Sequence, residues 1–226
     1  SLKKYAVASV TPVIIDPETT YITLVVNFKY NSGITTKDVT TLQTNVLSKI
    51  AIYNNNTLED FTGMFRYSKL IEDINGADTS ILSNITTLKL YKYFTPTLNS
   101  AVKYTLNFNN ALYNPHSGHN ADAGGIISST GFKINDDSSA NEHFLDDDGE
   151  GILRAYYLSG TTRVYTDSTY GTVNYTTGEV VLTSAHLTSI SNVDGATSTR
   201  VRVFVIPNSN DIVPVRNQIL SIDTSN

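Results

Sequence analysis

The chain has 226 residues, a net charge of −5 and no cysteine. Its length allows one large domain or two ordinary ones. Without cysteine the chain has no disulfides and no thiolate chemistry, which favours assembly in a reducing compartment. The chain also lacks a run of about 18 apolar residues, so no membrane-spanning helix is predicted. It lacks the basic stripe that a nucleic-acid backbone requires, so we predict no nucleic-acid partner.

The composition favours β-sheet. There are 14 Tyr against 8 Phe, with no Trp and one Met, and Thr, Asn and Ser are frequent. Tyr and Thr pack well on pleated, half-buried surfaces. Thr, Asn and Ser destabilise helices because their side chains bond to their own backbone. We therefore expect more strand than helix.

The first predicted elements are a strand and a long helix. A strand is predicted at residues 20–30, where the side chains alternate with a period of two. A helix is predicted at residues 36–53. Thr35 and Asp38 form an imperfect capping box before it, and three consecutive Asn at residues 54–56 are expected to end it. The apolar positions at helical spacing, which we expect to face the core, are Val39, Leu42, Val46, Leu47 and Ile50.

A second helix and a second strand complete the first part of the chain. The helix is predicted at residues 67–74, with Leu70, Ile71 and Ile74 facing inward and Gly76 as its C-terminal cap, and the strand at residues 85–94. The order strand, helix, helix, strand predicts a small open sheet with the helices on one face. Pro96 then marks a boundary, because proline cannot donate to a strand ladder. We therefore predict a mixed α/β domain at residues 1–97.

Residues 98–226 are predicted to form a predominantly antiparallel β domain, which makes the fold class α+β. Thr176-Thr177-Gly178 is expected to form a tight hairpin. Long polar loops are predicted at residues 114–125 and 135–150. The short runs that predict strands lie at residues 104–108, 151–157, 162–165, 171–175, 179–182, 200–206 and 215–222.

Two polar segments contain residue types that bind metals. His116 and His119 are closely spaced, but zinc needs three or four ligands, and the sequence offers neither cysteine nor a helical register to supply them. Residues 146–151, Asp-Asp-Asp-Gly-Glu-Gly, resemble the start of a calcium loop, yet Tyr157 stands where the bidentate Glu should be and Arg154 intrudes on the ligand side. We predict no metal site and interpret the acidic stretch as a solvated, turn-forming loop. Binding of a hard cation with another geometry stays an alternative.

The sequence contains no recognisable catalytic constellation. Gly-x-Ser-x-Gly is absent, and His143 and His186 have ordinary strand or turn neighbours. Gly124-Gly125 is not followed by the Lys-Ser/Thr of a phosphate loop. A glycosidase pair of carboxylates cannot be identified among 21 acidic residues. We therefore predict no enzyme activity, no catalytic or partner-binding residue by name, no cofactor and no small-molecule substrate.

Three stretches, in their order along the chain, resemble one protein family. They are residues 12–18, residues 65–87 with the run Phe-Arg-Tyr-Ser-Lys-Leu-Ile-Glu-Asp-Ile at their start, and residues 170–182. They resemble the C-terminal part of the large baseplate wedge protein of T4-type contractile phage tails, which is related to the J-type baseplate proteins of other contractile injection machines. The resemblance covers about residues 10–222. It indicates, as does the absence of an initial Met, that the chain is a fragment of a longer protein.

The resemblance implies a structural subunit of a phage tail baseplate. In this family the C-terminal region dimerises, and contacts between neighbouring copies link the wedges into a ring around the tail hub. Rearrangement of the ring on host attachment triggers sheath contraction. The expected partners are a second copy and other baseplate wedge proteins, and the expected location is the virion tail after assembly in the host cytoplasm.

Two alternatives stay open from the sequence. The first is a receptor- or carbohydrate-binding β module of a viral tail fibre or adhesin, which shares a composition rich in Asn, Thr, Tyr and Gly. The second is a polysaccharide-degrading tail enzyme, which would need an acid pair in a cleft. The oligomeric state in solution distinguishes the wedge protein from the fibre module, because a two-fold dimer supports the wedge protein and a trimer supports the fibre.

Overall fold

The computed structural model describes residues 17–119 and 125–224. Within these residues, two α-helices and eleven strands form a mostly β fold with a small helical part, so the predicted class α+β is confirmed. The elements are β1 (Glu18–Tyr30), α1 (Val39–Tyr53), α2 (Tyr67–Asn75), β2 (Ile81–Phe94), β3 (Ala101–Asn107), β4 (Ile127–Ser129), β5 (Phe132–Ile134), β6 (His143–Asp147), β7 (Ile152–Ser159), β8 (Thr162–Asn174), β9 (Glu179–Ile190), β10 (Val201–Val205) and β11 (Gln218–Ile222).

The first sheet has the strand order β11-β1-β2-β10-β4. The period-two pattern at residues 20–30 correctly predicts β1, whose side chains alternate between the core and the opposite face. β1 and β2 pair antiparallel from Tyr21↔Tyr91 to Tyr30↔Ile81. β11 pairs parallel with β1, but only along Glu18 to Ile22. Beyond Ile22, therefore, β1 has a strand partner on one side only within the described part of the chain.

The second sheet has the order β3-β9-β5-β6-β7-β8, with an additional pairing between β8 and β9. That pairing closes β5 to β9 into a ring of strands, and β3 is attached to β9 at its outside. The hairpin predicted at Thr176-Thr177-Gly178 is confirmed, since Asn174 pairs with Glu179 across it. Gly178 adopts φ 73° there, a conformation that glycine reaches without the steric cost of a side chain.

Helix α1 follows the predicted position, but its start and its face differ from the prediction. Asp38, not Thr35, is the N-cap, and its side chain accepts a hydrogen bond from the Thr41 N–H at 2.8 Å. The buried positions are Leu42, Val46, Ile50 and Tyr53. Val39 and Leu47 were expected in the core, yet Leu47 is 50 % exposed. The inward stripe is narrower than the five apolar positions suggest: Val39 lies in the first turn of the helix, and Leu47 lies on the flank of the stripe, about 100° around the helix from the buried Val46.

Helix α1 ends at Tyr53, directly before Asn54, Asn55 and Asn56, as predicted. The chain continues through a π-helical turn, Asn54–Leu58. Asn54 is buried there, and its side-chain oxygen accepts a hydrogen bond at 2.6 Å from the Ile222 N–H at the end of β11. The Asn side chain thus bonds to a distant edge strand rather than to its own backbone.

Helix α2 forms where it was predicted, with Leu70 and Ile74 buried and Gly76 at its C-terminus. No local side chain caps its start. Instead the Tyr67 N–H donates to Asp211 at 2.8 Å, a residue far along the sequence. The long-range contact satisfies one of the backbone donors that every helix start leaves open.

Strands in the second half of the chain are longer and more numerous than predicted. Residues 162–165 and 171–175 were expected as two strands, but they belong to the single strand β8. The pattern missed β4, β5 and β6. Three-residue strands such as β4 and β5 are too short to show a period, and the acidic residues of β6 obscured its alternation.

One hydrophobic core runs through both sheets. It joins side chains of α1 and α2 to residues of β1, β2, β10 and β11, and continues into the ring of β5 to β9. Its largest fully buried members include Phe65, Phe108, Phe132, Leu90, Leu145 and Leu182.

The predicted boundary at residue 97 falls between β2 and β3, but the first sheet does not end there. β4, β10 and β11 come from residues 98–226 and pair within the sheet that β1 and β2 begin. Whether residues 1–97 and 98–226 fold independently stays a prediction. Residues 1–16, which hold most of the first stretch of family resemblance, and residues 120–124, which include Gly124, lie outside the described residues.

Candidate functional site

Asp146 lies at the centre of a buried ionic cluster in the second sheet. Its side chain is 1 % exposed. Arg154 Nε donates to one carboxylate oxygen at 2.9 Å, and Arg163 Nη1 donates to the other at 2.9 Å. The Tyr165 hydroxyl adds a third bond at 2.8 Å. Both guanidinium groups also stack on tyrosine rings, Arg154 on Tyr165 at 4.4 Å and Arg163 on Tyr156 at 4.7 Å. The carboxylate is therefore surrounded by donors that neutralise it.

Asp147, the next residue, is also fully buried and accepts from different partners. The Ile127 N–H donates to Oδ1 at 2.9 Å, and the Tyr175 hydroxyl donates to Oδ2 at 2.7 Å. Burial, and then this hydrogen bond to a carboxylate, raise the pKa of Tyr175. Gly125, at φ 75°, lies against Asp147 so closely that a Cβ would come within 1.8 Å of Oδ1. A side chain at residue 125 would therefore displace this carboxylate.

The interpretation of the acidic stretch as a solvated loop is wrong for Asp146 and Asp147. They belong to β6, and their burial is possible because protein groups supply donors to both carboxylates. Side chains of β7 and β8 donate to Asp146, and Tyr175 with the Ile127 N–H donates to Asp147. The signal that could have revealed this is the repeat of Arg-x-Tyr at Arg154 and Tyr156 and again at Arg163 and Tyr165. Two strands with the same alternation can present both cations to one carboxylate.

The candidate metal ligands do not form a group of three or more in the described residues. Asp148 accepts hydrogen bonds from the Glu150 N–H at 2.8 Å and the Ile152 N–H at 2.9 Å, which makes it part of the turn between β6 and β7. His116 Nε2 and His119 Nδ1 lie 3.1 Å apart on the surface. No group of three or more His, Asp or Glu side chains able to hold a metal is found in the part of the chain that the structure describes.

An aromatic cluster covers the outer face of the first sheet, the face opposite α1 and α2. Tyr21 stacks on Tyr91 with ring centroids 4.9 Å apart, and Phe204 lies 5.2 Å from Tyr91. The Tyr91 hydroxyl donates to Asp223 at 2.7 Å. Arg200 covers the ring of Tyr93 at 4.1 Å. Cation–π contacts of this kind leave little of these rings open to a stacking ligand.

Farther along the same outer face, apolar side chains are exposed. Val25 of β1 is 60 % exposed and Ile85 of β2 is 70 % exposed. They lie on the same face because Val25 pairs with Thr87 and Asn27 pairs with Ile85 in the antiparallel register. A solvated sheet face normally carries polar residues at such positions. An exposed apolar pair on a sheet face favours contact with another protein surface.

A groove of about 280 Å³ lies between β1 and α1, next to the edge of β1 that no described strand covers. Leu24, Val26 and Phe28 form its sheet side and are only partly buried. Leu47 and the buried Ile50 are among the α1 residues that line it. We call this feature the β1–α1 groove.

Comparison with known proteins assigns a family resemblance to one segment. Residues 18–93 match the family model described as baseplate structural protein gp6, C-terminal domain III. The predicted resemblance is confirmed. The match covers about a third of the chain, and no match to a curated protein accompanies it. The matched segment begins at the start of β1 and ends one residue before the end of β2, so it spans the unit β1-α1-α2-β2. No helix in the described ranges is both long and apolar enough to cross a membrane.

Proposed function

We propose that this chain is a structural subunit of a bacteriophage tail baseplate wedge. The observation that carries the proposal is the match of residues 18–93 to gp6 C-terminal domain III. The matched segment is a consecutive structural unit, β1-α1-α2-β2, rather than a scattered set of positions. The location that follows is the tail baseplate of the virion, after assembly in the host cytoplasm.

The role in this proposal is mechanical and not enzymatic. Asp146 is occupied by two guanidinium groups and a tyrosine hydroxyl, so it stabilises the fold rather than reacting with a substrate. The cluster connects β6 to side chains of β7 and β8. A subunit that must transmit force between neighbours benefits from rigid sheets, because rigid bodies shift relative to one another without unfolding.

Self-association and contacts with other wedge proteins belong to the same proposal. The chain forms a two-fold dimer, and contacts between neighbouring copies build a ring around the tail hub that rearranges on host attachment and triggers sheath contraction. Supporting observations are the half-exposed Leu47 in the β1–α1 groove and the exposed Val25 and Ile85 on the opposite face of the sheet. Two apolar surfaces on opposite faces would allow one subunit to contact two neighbours.

The finer division of the fold is part of the proposal as well. In it, residues 1–97 form a mixed α/β domain with two helices on a small sheet, which strands from residues 98–226 extend. Residues 98–226 form a predominantly antiparallel β domain. The matched segment supports the first of these units, because it lies entirely within residues 1–97.

Light scattering combined with labelling of phage particles tests the proposal. We expect the purified chain to be a dimer in the micromolar range, and an antibody raised against it to label the baseplate end of contractile-tailed particles. A trimer with label along the tail fibres would contradict the proposal and support the receptor- or carbohydrate-binding alternative. A chain that stays monomeric up to submillimolar concentration would contradict the dimer.

A further inference from the structure

We propose that two copies of this chain associate edge to edge through β1, so that the first sheet continues from one copy into the other. This inference rests on the self-association proposed above and locates its surface. It assigns the interface to residues 23–29 of β1 together with the β1–α1 groove.

The backbone of β1 is the first observation. β11 covers the edge of β1 only along Glu18 to Ile22. On that side the Ile22 carbonyl accepts from the Asp223 N–H at 2.8 Å. Because backbone groups alternate in direction along a strand, the N–H and C=O of Val26 and Phe28 point to the same side, where no described strand pairs with them. An open strand edge of this kind is a template for pairing with another chain.

The symmetry of this edge favours a second copy as the occupant. If two β1 strands pair antiparallel around a two-fold axis at Val26, then Val26 faces Val26 of the other copy and Leu24 faces Phe28. Each copy then offers the same donors and acceptors that the other requires, which is the self-complementarity that a two-fold interface demands. The pairing is short enough to leave β11 in place on each copy, because it begins beyond Ile22.

The side chains at this edge give the interface an apolar layer. A two-fold axis between antiparallel strands is perpendicular to the sheet, so α1 of both copies lies on the same face. The two β1–α1 grooves then join. Leu24, Val26 and Phe28 are partly buried in a single copy, and Leu47 is 50 % exposed. Pairing would remove this surface from water, and burial of apolar surface is the main driving force of association.

Two matched variants on α1 test the apolar layer. Leu47→Glu places a charge in the joined groove, whereas Ile52→Glu places the same charge on the same helix outside the residues that line it. The two positions are similarly exposed, at 50 % and 54 %. In sedimentation equilibrium we expect Leu47→Glu to weaken dimerisation at least ten-fold and Ile52→Glu to leave it unchanged. Neither variant should alter the melting temperature of the monomer strongly.

Cross-linking tests the strand pairing itself. The chain has no cysteine, so Val26→Cys introduces a single thiol in each copy. Directly opposed residues in an antiparallel pair have Cα atoms about 4.5–5.5 Å apart, which is within disulfide range. We expect oxidised Val26→Cys to run as a covalent dimer on a non-reducing gel, and the control Val213→Cys, exposed elsewhere on the surface, to stay a monomer.

The outcomes separate the two proposals. A wild-type dimer that Leu47→Glu does not weaken, and that Val26→Cys does not cross-link, would overturn the β1 interface while leaving self-association intact. A wild-type chain that is monomeric at all concentrations would overturn self-association and the interface with it.

Discussion

Asp146 carries the buried carboxylate that connects strands β6, β7 and β8 of the second sheet. Asp146→Asn keeps the shape of the side chain but removes the charge that Arg154 and Arg163 share. Because Arg154 is itself only 13 % exposed, its cation would be left without a counter-charge. We expect the free energy of unfolding, measured by urea denaturation, to fall by about 3–5 kcal/mol.

The control for this prediction is Asp136→Asn, which changes an exposed acid in the same acidic stretch. Its effect should stay within about 0.5 kcal/mol, as is usual for surface substitutions. If both variants lose the same stability, the effect comes from net charge and not from the buried cluster.

His143 should make folding sensitive to acid. The ring is fully buried, and burial lowers its pKa from the ordinary value of 6.5, although the Asn141 carbonyl and Asp137 act in the opposite direction. Because that carbonyl can only accept, Nδ1 carries the proton at 2.9 Å from it, and Nε2 accepts from the Thr166 hydroxyl at 2.9 Å. Below pH 6.5 the unfolded chain binds a proton that the folded chain does not bind, so stability decreases as the pH falls through this range.

Comparing denaturation curves across pH 7.5 to about 5 tests this statement. His143→Gln should flatten the pH dependence relative to the wild type, whereas His116→Gln, which changes an exposed ring, should leave it unaltered. If stability changes equally with pH in the wild type and in His143→Gln, this histidine titrates alike in the folded and the unfolded chain.

Single residues also show where sequence reasoning fails. The residue types around Asp146 are visible in the sequence, but Arg154 and Arg163 lie 8 and 17 positions away on two other strands. Only the register of β6, β7 and β8 brings them to one carboxylate, and register is not readable from charge counts. The acidic stretch therefore looks solvated until the sheet is known.

At the scale of the element, helix α1 provides a direct comparison of two leucines. Leu42 is fully buried and Leu47 is 50 % exposed. Leu42→Ala should lower the free energy of unfolding by about 2–5 kcal/mol, since it leaves a cavity in the core. Leu47→Ala should cost the monomer much less than that, about 1 kcal/mol or below. Thermal and urea melts at concentrations below the dimerisation range measure both.

Lys49→Ala is the control on the same helix and should leave stability nearly unchanged, because Lys49 is exposed. If Leu47→Ala proves as destabilising as Leu42→Ala, the helix packs with a wider face than the structure shows.

The π-helical turn after α1 carries another testable contact. Asn54 connects this turn to β11 through the hydrogen bond from the Ile222 N–H, and its amide also donates to Glu59 at 2.9 Å. Asn54→Ala should cost about 1–3 kcal/mol because a buried N–H loses its acceptor. Asn56→Ala, on the exposed side of the same turn, should cost little in the same urea titration. A similar loss for both would indicate that helix propensity, not the contact to β11, determines the effect.

Elements with a long period could be predicted, whereas the distant residues that bond to the ends of those elements could not. The alternation of β1 predicts a strand, and the spacing of Leu42, Val46 and Ile50 predicts a helix. Both predictions are correct because the apolar side chains that recur at each period lie on one buried face. Helix α2 begins and helix α1 ends where the pattern predicts, but Asp211 satisfies the start of α2 and the Ile222 N–H of β11 bonds to the turn after α1. No local pattern contains those partners.

At the scale of the whole molecule, strands from both sides of residue 97 form the first sheet. This bears on whether the chain divides into two independent domains at that residue. A fragment of residues 1–97 would lack β4, β10 and β11, and β2 would lose its pairing with β10. We expect this fragment to give poorly dispersed amide signals in NMR and no cooperative melting transition, because much of its core would be exposed. A well-dispersed spectrum with a sharp transition would support two independently folding domains.

Removal of divalent metal should leave the structure unchanged. Asp146 and Asp147 already accept hydrogen bonds from protein groups, and Asp148 accepts from the backbone of its own turn. Addition of a chelator is therefore expected to shift the melting temperature by less than about 1 °C. A large decrease that calcium or zinc restores would demonstrate a metal site.

The pairing of β1 with β11 has a consequence for how the chain reaches its native state. Glu18 pairs with Gln218, 200 positions later. During synthesis β1 and β2 emerge before the strands that flank this pair, β10 and β11, and can first form a hairpin-like pair around the two helices. Contacts between residues so distant in sequence close slowly, because a long loop must be ordered first. The early intermediate would expose the edges of both β1 and β2, and a nascent chain with open edges in a crowded cell is prone to pair with the wrong neighbour.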